Sequence, residues 1–366
     1  MAVKTHRHRS ILLVFILSAL VAVPLRASGS QLPNRIDVSS GRSINVFRKY
    51  GSLVQTIKVT PVHNDVSDSA WIFKEPAQEV FVKVHPAREI NKPPEEDISG
   101  WEFRMSFCNS IEDVMREYFR HFSIDGHTEA WKVFAGMWER RDMARHLGIE
   151  ESFAEGEHRY VFVSISRNRS AGKWYVKGLS VLGRFLTTEE PAFNRRVSEA
   201  TETIIPGDKA SVQRFFRRYG THYIASYATG ESLYQVFVYD HSVHRNFEEI
   251  MIRRGMGNFK LRIVSTILSP LFAVHLGKVQ VASGNATLRE WVEENLEDHV
   301  MSVPHSTILK CFRNADLRRR LEGVMSDGVF LRLELRSIGP SIRSKERREW
   351  FEEVLRNRLA LWDANV

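Results

Sequence analysis

The sequence predicts an α+β fold, in which strands form a sheet and separate helices pack against it. Two patterns indicate this fold class. Segments such as INVFRKYG and EVFVKVHP alternate apolar and polar residues, and the chain from Arg42 to Lys83 is rich in such strand patterns. Segments such as SIEDVMREYFRHF instead space their apolar residues at helical intervals. With 43% hydrophobic and 26% charged residues, the composition is that of a folded globular protein.

The first thirty residues differ in character from the rest of the chain. Several basic residues precede the apolar run Ile11–Val23, and Pro24 and small residues follow it. The run is shorter than the roughly 20 apolar residues of a membrane-spanning helix. The pattern therefore predicts a cleaved signal peptide over residues 1–27, followed by a short N-terminal segment over 28–44. An uncleaved anchor is the alternative interpretation.

Export would change the charge of the mature chain. Lys4, Arg7, Arg9 and Arg26 leave with the peptide and no acidic residue leaves, so the formal net charge falls from +8 to +4. The other basic residues are interleaved with acidic ones and form no stripe, so nucleic acid is not an expected partner. The charge is compatible with anionic lipid headgroups or sulfated matrix as partners.

The chain has two cysteines, Cys108 and Cys311, and both lie in the exported part. In an oxidising compartment such a pair, set among apolar neighbours, is expected to form a disulfide. In the chain-entropy model, closing a loop this long stabilises a fold by about 4 to 5 kcal/mol. The bridge would favour one domain over two. A pair of cysteines also excludes a cysteine-rich accessory module or a cysteine zinc site.

Two sequons point to glycosylation. Asn168 and Asn285 each begin an Asn-X-Ser/Thr triplet, and both triplets lie in polar, turn-like stretches. The sequence therefore predicts glycans on both residues.

The middle of the chain predicts alternating strands and helices. A charged loop (HPAREINKPPEED) precedes a strand (WEFRMSFCNS) and a helix that begins at Ser110 with acidic residues in its first turn. A wide apolar stripe from Glu129 to Glu151 predicts a helix or a pair of helices. Two strands, RYVFVSIS and KWYVKGLSVLG, are predicted on either side of a turn at NRSAG.

The second half begins with a helix, KASVQRFFRRYG, that is expected to stop at Gly220. A long strand rich in Tyr, Ile, Val and Thr follows, with a break at Gly230. Helices are predicted from Asp240 to Leu261, in LREWVEENLEDH and near the C-terminus. A further strand is predicted from Phe272 to Ala282.

Motifs of catalysis are scarce. The serine in GLSVLG misses the spacing of a nucleophile elbow, and HExxH does not occur. His241 and His244 could bind a metal from one helical face, but a solvated face is the favoured interpretation. His222 is followed by no carboxylate until Glu231, so a catalytic role is not favoured. We expect instead a buried histidine that is hydrogen-bonded to backbone or hydroxyl groups. The sequence therefore predicts no enzyme, no metal site and no cofactor.

The stretch YGTHYIASYATGE resembles the signature motif of the membrane attack complex/perforin (MACPF) family. In that motif an aromatic residue, Gly, Thr or Ser, His and a second aromatic residue are followed, after six residues, by a Gly-Gly pair. The paired aromatics of QRFFRRYG and the Trp-containing segment LREWVEENLEDH also resemble this family. The residues that match the motif are Tyr219, Gly220, Thr221, His222, Tyr223 and Gly230.

The resemblance implies a bent, mainly antiparallel central sheet flanked by helical clusters. It covers residues 45–335 and leaves 336–366 as a C-terminal amphipathic helix. One position departs from the motif, because Glu231 stands where the second glycine is expected. In pore-forming members these glycines lie where the bent sheet straightens, and glycine suits that role because it adopts φ values that other residues avoid. The departure predicts a reduced capacity to unbend.

The resemblance also places the segments that become membrane hairpins in pore-forming members. They correspond roughly to Glu129–Arg169 and Asp240–Val274. As membrane strands, ERRDMAR and IMIRRGMGNFKLR would turn charges toward lipid in any register. Each lipid-facing Arg or Lys at the midplane costs about 2 to 4 kcal/mol. Binding to a membrane surface is compatible with these residues, whereas insertion as a barrel is disfavoured.

The family resemblance implies a secreted, non-enzymatic factor that acts outside the cell in receptor tyrosine kinase signalling during development. Its partner would be a protein of that extracellular pathway, with attachment to a membrane surface or to the eggshell matrix. A pore-forming effector of immunity is the alternative function. A secreted hydrolase is a more distant alternative.

Overall fold

A long central strand organises the described part of the chain. In this computed structural model the described residues are 40–47, 78–82, 100–135, 138–173, 191–254, 261–300, 303–325 and 329–365. All of them belong to one unit, Asn34–Val366. The predicted signal peptide, residues 1–27, and residues 48–77 of the strand-rich stretch Arg42–Lys83 lie outside the described residues.

Strands and helices both contribute to the described residues, so the predicted α+β class is confirmed. The strands are β1 (Arg42–Ile44), β2 (Gln78–Glu79), β3 (Trp101–Cys108), β4 (Phe122–Ile124), β5 (Arg159–Lys173), β6 (His222–Tyr239), β7 (His275–Leu276), β8 (Gln280–Val281), β9 (Glu297–Val300), β10 (Val303–Ser306) and β11 (Val329–Ser337). The helices are α1 (Ile111–Tyr118), α2 (Ala130–Ala135), α3 (Arg140–Leu147), α4 (Arg195–Thr201), α5 (Lys209–Tyr219), α6 (His241–Arg254), α7 (Leu261–Ile267), α8 (Ala286–Leu296), α9 (Leu309–Arg313), α10 (Ala315–Val324) and α11 (Lys345–Asn365). Short 3-10 turns lie at Glu151–Ala154 and Gly339–Ser341.

The main sheet is curled and mostly antiparallel, with β6 at its centre. One edge of β6 pairs with β1 at residues 222–223 and with β5 at residues 226–239, and β3 pairs with the far edge of β5. The other edge changes partner along its length. It pairs with β11 at residues 222–230 and with β8 and β7 at residues 233–238. In the described sheet, β11 and β4 form a parallel pair.

Helices cover β6 on both faces. Tyr234, Val236 and Val238 belong to one hydrophobic cluster, whereas Leu233 and Phe237 belong to another. This alternation is the period of two of a strand, so the two clusters lie on opposite faces of the sheet. Residues of α1, α3, α5 and α11 enter the first cluster, and residues of α6, α7, α8 and α10 enter the second. Because helices cover both faces, β6 is buried along almost its whole length, polar residues included.

Several predicted helix boundaries are confirmed. The Ser110 hydroxyl caps α1 and accepts a hydrogen bond from the N–H of Asp113 at 3.1 Å. The helix predicted to stop at Gly220 is α5, which ends there. The apolar stripe of residues 129–151 forms two helices, α2 and α3. In α11, Phe351 and Leu355 are buried in the first cluster.

The turn predicted at NRSAG is wrong. Residues 168–172 lie inside β5, where a register shift falls between Asn168 and Ser170. A β-bulge absorbs an extra residue without ending the strand, so pairing with β6 overrides the turn preference of these polar residues. The strand predicted from Phe272 to Ala282 is present only as the two short strands β7 and β8.

The predicted disulfide is also wrong. Cys108 and Cys311 are both free and both buried. Cys108 ends β3 in the first cluster, whereas Cys311 lies on α9 in the second, so the two thiols lie on opposite faces of the sheet. Burial raises the pKa of both thiols, that of Cys311 to about 12, which keeps them protonated.

Candidate functional site at the helix-to-strand junction

Gly220 ends α5 in a backbone conformation that favours glycine, with a φ of 86°. Its N–H donates to the carbonyl oxygen of Phe216 at 3.0 Å. A β-carbon at this position would lie 2.7 Å from the carbonyl oxygen of Ile44. Both the backbone angle and the close approach of β1 therefore require glycine here.

Thr221 bonds the junction to two other segments. Its N–H donates to the carbonyl oxygen of Ile44 at 2.9 Å, and its hydroxyl accepts from the N–H of Val46 at 3.2 Å. Its own carbonyl accepts from the N–H of Ile338, directly after β11, at 3.1 Å. The start of β6 is thereby tied to the end of β1 and to the end of β11.

His222 is completely buried, and both of its ring nitrogens have partners. Nδ1 lies 3.0 Å from the Thr221 hydroxyl, and Nε2 lies 2.9 Å from the carbonyl oxygen of Asp125. A carbonyl only accepts, so Nε2 donates and Nδ1 accepts from the hydroxyl. Burial lowers the pKa of His222 to about 4, so the ring is neutral at physiological pH. The prediction of a buried, hydrogen-bonded histidine is confirmed.

Asp125 brings a further segment, the turn after β4, into the junction. One carboxylate oxygen accepts from the N–H of Ser337 at 3.2 Å, while the Asp125 carbonyl serves His222. Asp125 lies 97 positions from His222, so no local pattern in the sequence could reveal the contact. Sequence reasoning missed this residue for that reason.

The two aromatic residues of the motif pack in the core. Tyr219 lies 5.0 Å from the ring of Phe215, and its carbonyl accepts from the Ser43 hydroxyl at 2.5 Å. Tyr223 meets the ring of Phe81 edge-on, with 5.1 Å between ring centroids. Both rings stabilise the junction by burying apolar surface.

The space around position 230 admits glycine and no larger residue. A β-carbon here would lie 2.0 Å from the carbonyl oxygen of Arg167 on β5 and 2.9 Å from Cδ1 of Leu331 on β11. The crowding occurs beside the register shift between Asn168 and Ser170. Gly230 does not belong to the described glycines with positive φ, and the strand break predicted here is wrong, because β6 continues through it.

Glu231 is completely buried within β6. Its Oε1 accepts from the N–H of Ser232 at 3.2 Å and from the N–H of Ser283, just after β8, at 3.1 Å. The residue lies between the last β6 residue paired with β11 and the first paired with β8. The carboxylate therefore supplies hydrogen bonds where the strand ladder changes partner.

An aromatic network lies near Glu231. Burial, and then the charge of Glu231, raise the pKa of Tyr118 on α1. The Tyr118 ring meets Tyr234 of β6 edge-on at 5.0 Å. The Tyr234 hydroxyl donates to the carbonyl oxygen of His146 on α3 at 3.1 Å. Helices α1 and α3 are thus both attached to the central strand.

The segment after α3 also contacts β7 and the residues between β7 and β8. The N–H of Lys278 donates to the carbonyl oxygen of Gly148 at 2.8 Å, and the N–H of Glu150 donates to Nε2 of His275 at 3.3 Å. The His275 ring stacks on Phe153 at 4.6 Å. Release of the first predicted helical cluster, Glu129–Arg169, from the sheet would break all three contacts.

The charged residues of ERRDMAR, which are predicted to oppose membrane insertion, lie on α3 and at its N-cap, Glu139. Arg140 pairs with Glu112 at 2.8 Å, and Arg145 pairs with Asp142 at 3.0 Å and with Glu151 at 2.8 Å. Helical structure is confined to the first part of the predicted cluster Glu129–Arg169, because β5 begins at Arg159. The second predicted cluster, Asp240–Val274, contains α6 and α7.

The second predicted helical cluster, Asp240–Val274, exposes apolar side chains. Ile252 on α6 is 61% exposed, and Leu271, after α7, is 63% exposed. Phe272 is also exposed, and its ring meets Phe247 edge-on at 5.5 Å. The side chains of this group are Ile250, Ile252, Leu271, Phe272 and Val274.

The solvated face favoured for His241 and His244 is wrong for His244. His244 is buried, and its Nε2 lies 3.1 Å from the carbonyl oxygen of Tyr160, whereas His241 is exposed. Burial lowers the pKa of His244 to about 4. Within the described ranges, no three His, Cys, Asp or Glu side chains are placed to share a metal ion. The serine of GLSVLG lies outside those ranges.

The two sequon asparagines differ in their surroundings. Asn168 is exposed on β5, opposite Gly230. Asn285 caps α8, and its side-chain oxygen accepts from the N–H of Leu288 at 3.2 Å. Both glycans stay predictions. Among the described helices, none combines the length and the apolar character that a membrane span needs.

Comparison with known proteins gives structural likenesses at low sequence identity. No family model matches the sequence, and neither does any curated protein. The fold is similar to the crystal structure of GNIP1Aa from Chromobacterium piscinae, with a TM-score of 0.39, 12% identity, and coverage of 71% of this chain and 45% of that one. It is also similar to a putative cell invasion protein with a MAC/Perforin domain from Bacteroides thetaiotaomicron, with a TM-score of 0.30, 10% identity, and coverage of 70% and 50%. The chain thus spans about half the length of the structures it matches.

Proposed function

We propose that this chain is a secreted, non-enzymatic MACPF protein of the type of the insect Torso-like protein, acting outside the cell in receptor tyrosine kinase signalling for terminal patterning. The observation that carries the proposal is the helix-to-strand junction. Gly220 and Gly230 meet steric demands that admit no side chain, and Thr221 and His222 bond the junction to β1, β11 and the turn at Asp125. Each residue of the motif therefore has a structural task in this fold.

The burial of His222 supports a function without catalysis. A general base must reach a substrate within hydrogen-bond distance, and both nitrogens of this ring are already bonded inside the protein. Its pKa of about 4 also makes it a weak base at physiological pH. The motif accordingly serves the fold, and the activity of the protein lies in its surfaces.

Glu231 supports a function without pore formation. To straighten the sheet at this point, the chain would have to separate a buried carboxylate from the N–H of Ser283. Leaving a buried charge or its donors without partners costs several kcal/mol. The ion pairs on α3 and the lipid-facing charges of any hairpin register add to this cost.

Pore formation is the second candidate function. Its specific support is the exposed apolar group on the second helical cluster, which includes Ile252 and Leu271. Such side chains also suit shallow contact with a membrane surface, which requires no insertion of strands. The two functions differ in whether a bilayer becomes permeable.

The proposed site of action is the cell surface or the eggshell matrix, and the proposed partner is a protein of the signalling pathway. This location is supported by the basic and apolar pattern of residues 1–27 and by the two sequons. Within the described residues, the free and buried state of Cys108 and Cys311 does not oppose it, because buried thiols with raised pKa values resist oxidation.

A secretion and signalling assay tests the proposal. Cells expressing the full chain should release it into the medium, and a chain that lacks residues 1–27 should stay inside. Medium from cells that express the full chain should raise tyrosine phosphorylation of a Torso-type receptor. The assay also contains the receptor's ligand and the other proteins of that pathway. Retention of the full chain in the cytosol, or receptor phosphorylation equal to that with medium from the deletion control, would contradict the proposal.

A further inference from the structure

Among the described residues, four arginines that form no salt bridge lie near the C-terminal end of α5. In the described part of the chain no salt bridge involves Arg217 or Arg218 of α5, Arg196 of α4 or Arg358 of α11. Neighbouring arginines of the same helices are paired, since Arg195 pairs with Glu199 at 2.8 Å, Arg214 with Asp208 at 3.5 Å, and Arg347 with Glu202. The arginine face is defined by Arg196, Arg217, Arg218 and Arg358.

Aromatic rings hold three of these four guanidinium groups in place. The guanidinium carbons of Arg196 and Arg218 lie 5.9 Å and 5.5 Å from the centroid of the Tyr219 ring. That of Arg358 lies 4.7 Å from the centroid of Phe47. Such cation–π contacts fix the position of a guanidinium and leave its N–H donors available to a further partner. Tyr219 thus links the family-like motif to this surface.

Like charges approach one another on this face. Burial, and then the positive charge of Arg217, lower the pKa of Arg358. An anion between neighbouring guanidinium groups would relieve their repulsion and would accept hydrogen bonds from both. Arg196, Arg217 and Arg218 are exposed, so a ligand can reach them from solvent.

We propose that the arginine face binds a sulfated polysaccharide. Sulfate groups recur along such a chain, and each presents oxygens that match the paired donors of a guanidinium. The mature chain is only mildly basic, so binding would depend on this local group and not on overall charge. The inference deepens the proposed function, on which it rests, by naming the matrix component that an extracellular chain would contact.

A lipid surface suits a different part of the molecule. Membrane-surface binding combines basic residues with exposed apolar side chains that enter the headgroup region. Of the residues with a described side chain, the largest group of exposed apolar ones, which includes Ile252 and Leu271, lies on the second helical cluster. The rings of the arginine face are instead packed, since Tyr219 is 5% exposed and lies beneath two guanidinium groups.

The test measures the affinity of the purified full chain for heparin, used as the sulfated probe, at physiological salt. The variant Arg196→Gln/Arg217→Gln/Arg218→Gln removes the three exposed arginines of the face. We expect its Kd to rise about tenfold or more. The matched control, Arg245→Gln/Arg253→Gln/Arg319→Gln, removes three exposed and ion-paired arginines of α6 and α10, and its Kd should rise less than about threefold.

A charge-retaining variant separates recognition from simple attraction. Arg196→Lys/Arg217→Lys/Arg218→Lys keeps the net charge but loses the paired donors, so we expect an intermediate loss of affinity. The proposal is overturned if the wild-type chain does not bind heparin, if the Gln variant binds as tightly as wild type, or if the control loses as much affinity. It is also overturned if phosphatidylserine vesicles, and not heparin, require the arginine face. Because purified protein is used, a negative result here leaves the secretion assay unaffected, and failed secretion leaves this binding result intact.

Discussion

The carboxylate of Glu231 accepts a hydrogen bond from the backbone N–H of Ser283 at 3.1 Å, across 52 positions of the chain. The bond crosses the point where β6 exchanges β11 for β8. A glycine at this position could not make it. Glu231, which replaces the second glycine of the MACPF motif, therefore adds a buried hydrogen bond that glycine could not form.

Replacing Glu231 tests this link. Glu231→Ala leaves the N–H groups of Ser232 and Ser283 without their acceptor, so we expect the free energy of unfolding to fall by about 2 to 4 kcal/mol. Glu231→Gln keeps an acceptor oxygen and should cost less. Urea unfolding measures both, with Glu290→Ala on the exposed face of α8 as the control. Equal stability of Glu231→Ala and wild type would show that the link is unimportant.

Alanine substitutions at Gly230 and Gly323 distinguish a steric requirement for glycine from the effect of helix propensity. Gly230→Ala would place a β-carbon 2.0 Å from the carbonyl oxygen of Arg167, and we expect a loss of about 3 kcal/mol or a failure to fold. Gly323→Ala on α10 meets no atom within 4 Å and should raise stability by about 0.5 to 1 kcal/mol. Thermal melts of the two variants measure the contrast. A Gly230→Ala protein that melts at or above the wild-type temperature would contradict the close approach.

The burial of His222 predicts a loss of stability in acid. Its pKa is about 4 in the folded chain and about 6.5 in an unfolded one. Between these values the unfolded chain binds a proton that the folded chain does not. The free energy of unfolding therefore falls as pH falls, by about 1.4 kcal/mol per pH unit, and the contribution is constant above about pH 7.

His222→Gln should remove this contribution while it keeps a hydrogen-bonding side chain. Between about pH 7 and pH 5 we expect its free energy of unfolding to change by about 1 to 2 kcal/mol less than that of wild type. His244 is buried in both proteins and contributes equally to both. Parallel curves for wild type and variant would contradict a neutral, buried His222.

The cysteines should be detectable as thiols. Because Cys108 and Cys311 are free and buried, a thiol reagent should react with both in the denatured chain and with neither in the native chain. No reducing agent is added before denaturation. An absence of reactive thiols after denaturation would restore the disulfide predicted from the sequence.

Local patterns predicted local structure well. The Ser110 cap, the stop at Gly220 and the helices of residues 129–151 depend on neighbouring residues, and all are present. The errors concern relations between distant segments. The spacing of Cys108 and Cys311 cannot reveal that they face opposite sides of the sheet, and NRSAG is held in β5 by pairing with β6.

The same limit applies to the candidate site. His222 was predicted as a buried residue from its own neighbours, but its partner Asp125 and the Glu231 partner Ser283 lie far away in sequence. The role of Gly230 depends on the carbonyl of Arg167, which only the pairing of β5 with β6 brings near. The rings that hold the arginine face likewise come from separate elements.

Dye release from vesicles tests most directly the proposal that this chain acts without forming a pore. Purified mature protein is mixed with dye-filled vesicles of phosphatidylcholine and phosphatidylserine at physiological pH and salt, with a bacterial pore-forming toxin as the positive control. We predict release no greater than that in buffer, because Glu231 fastens the sheet and charged residues oppose insertion. Reproducible, dose-dependent release that approaches that of the toxin would contradict the proposal.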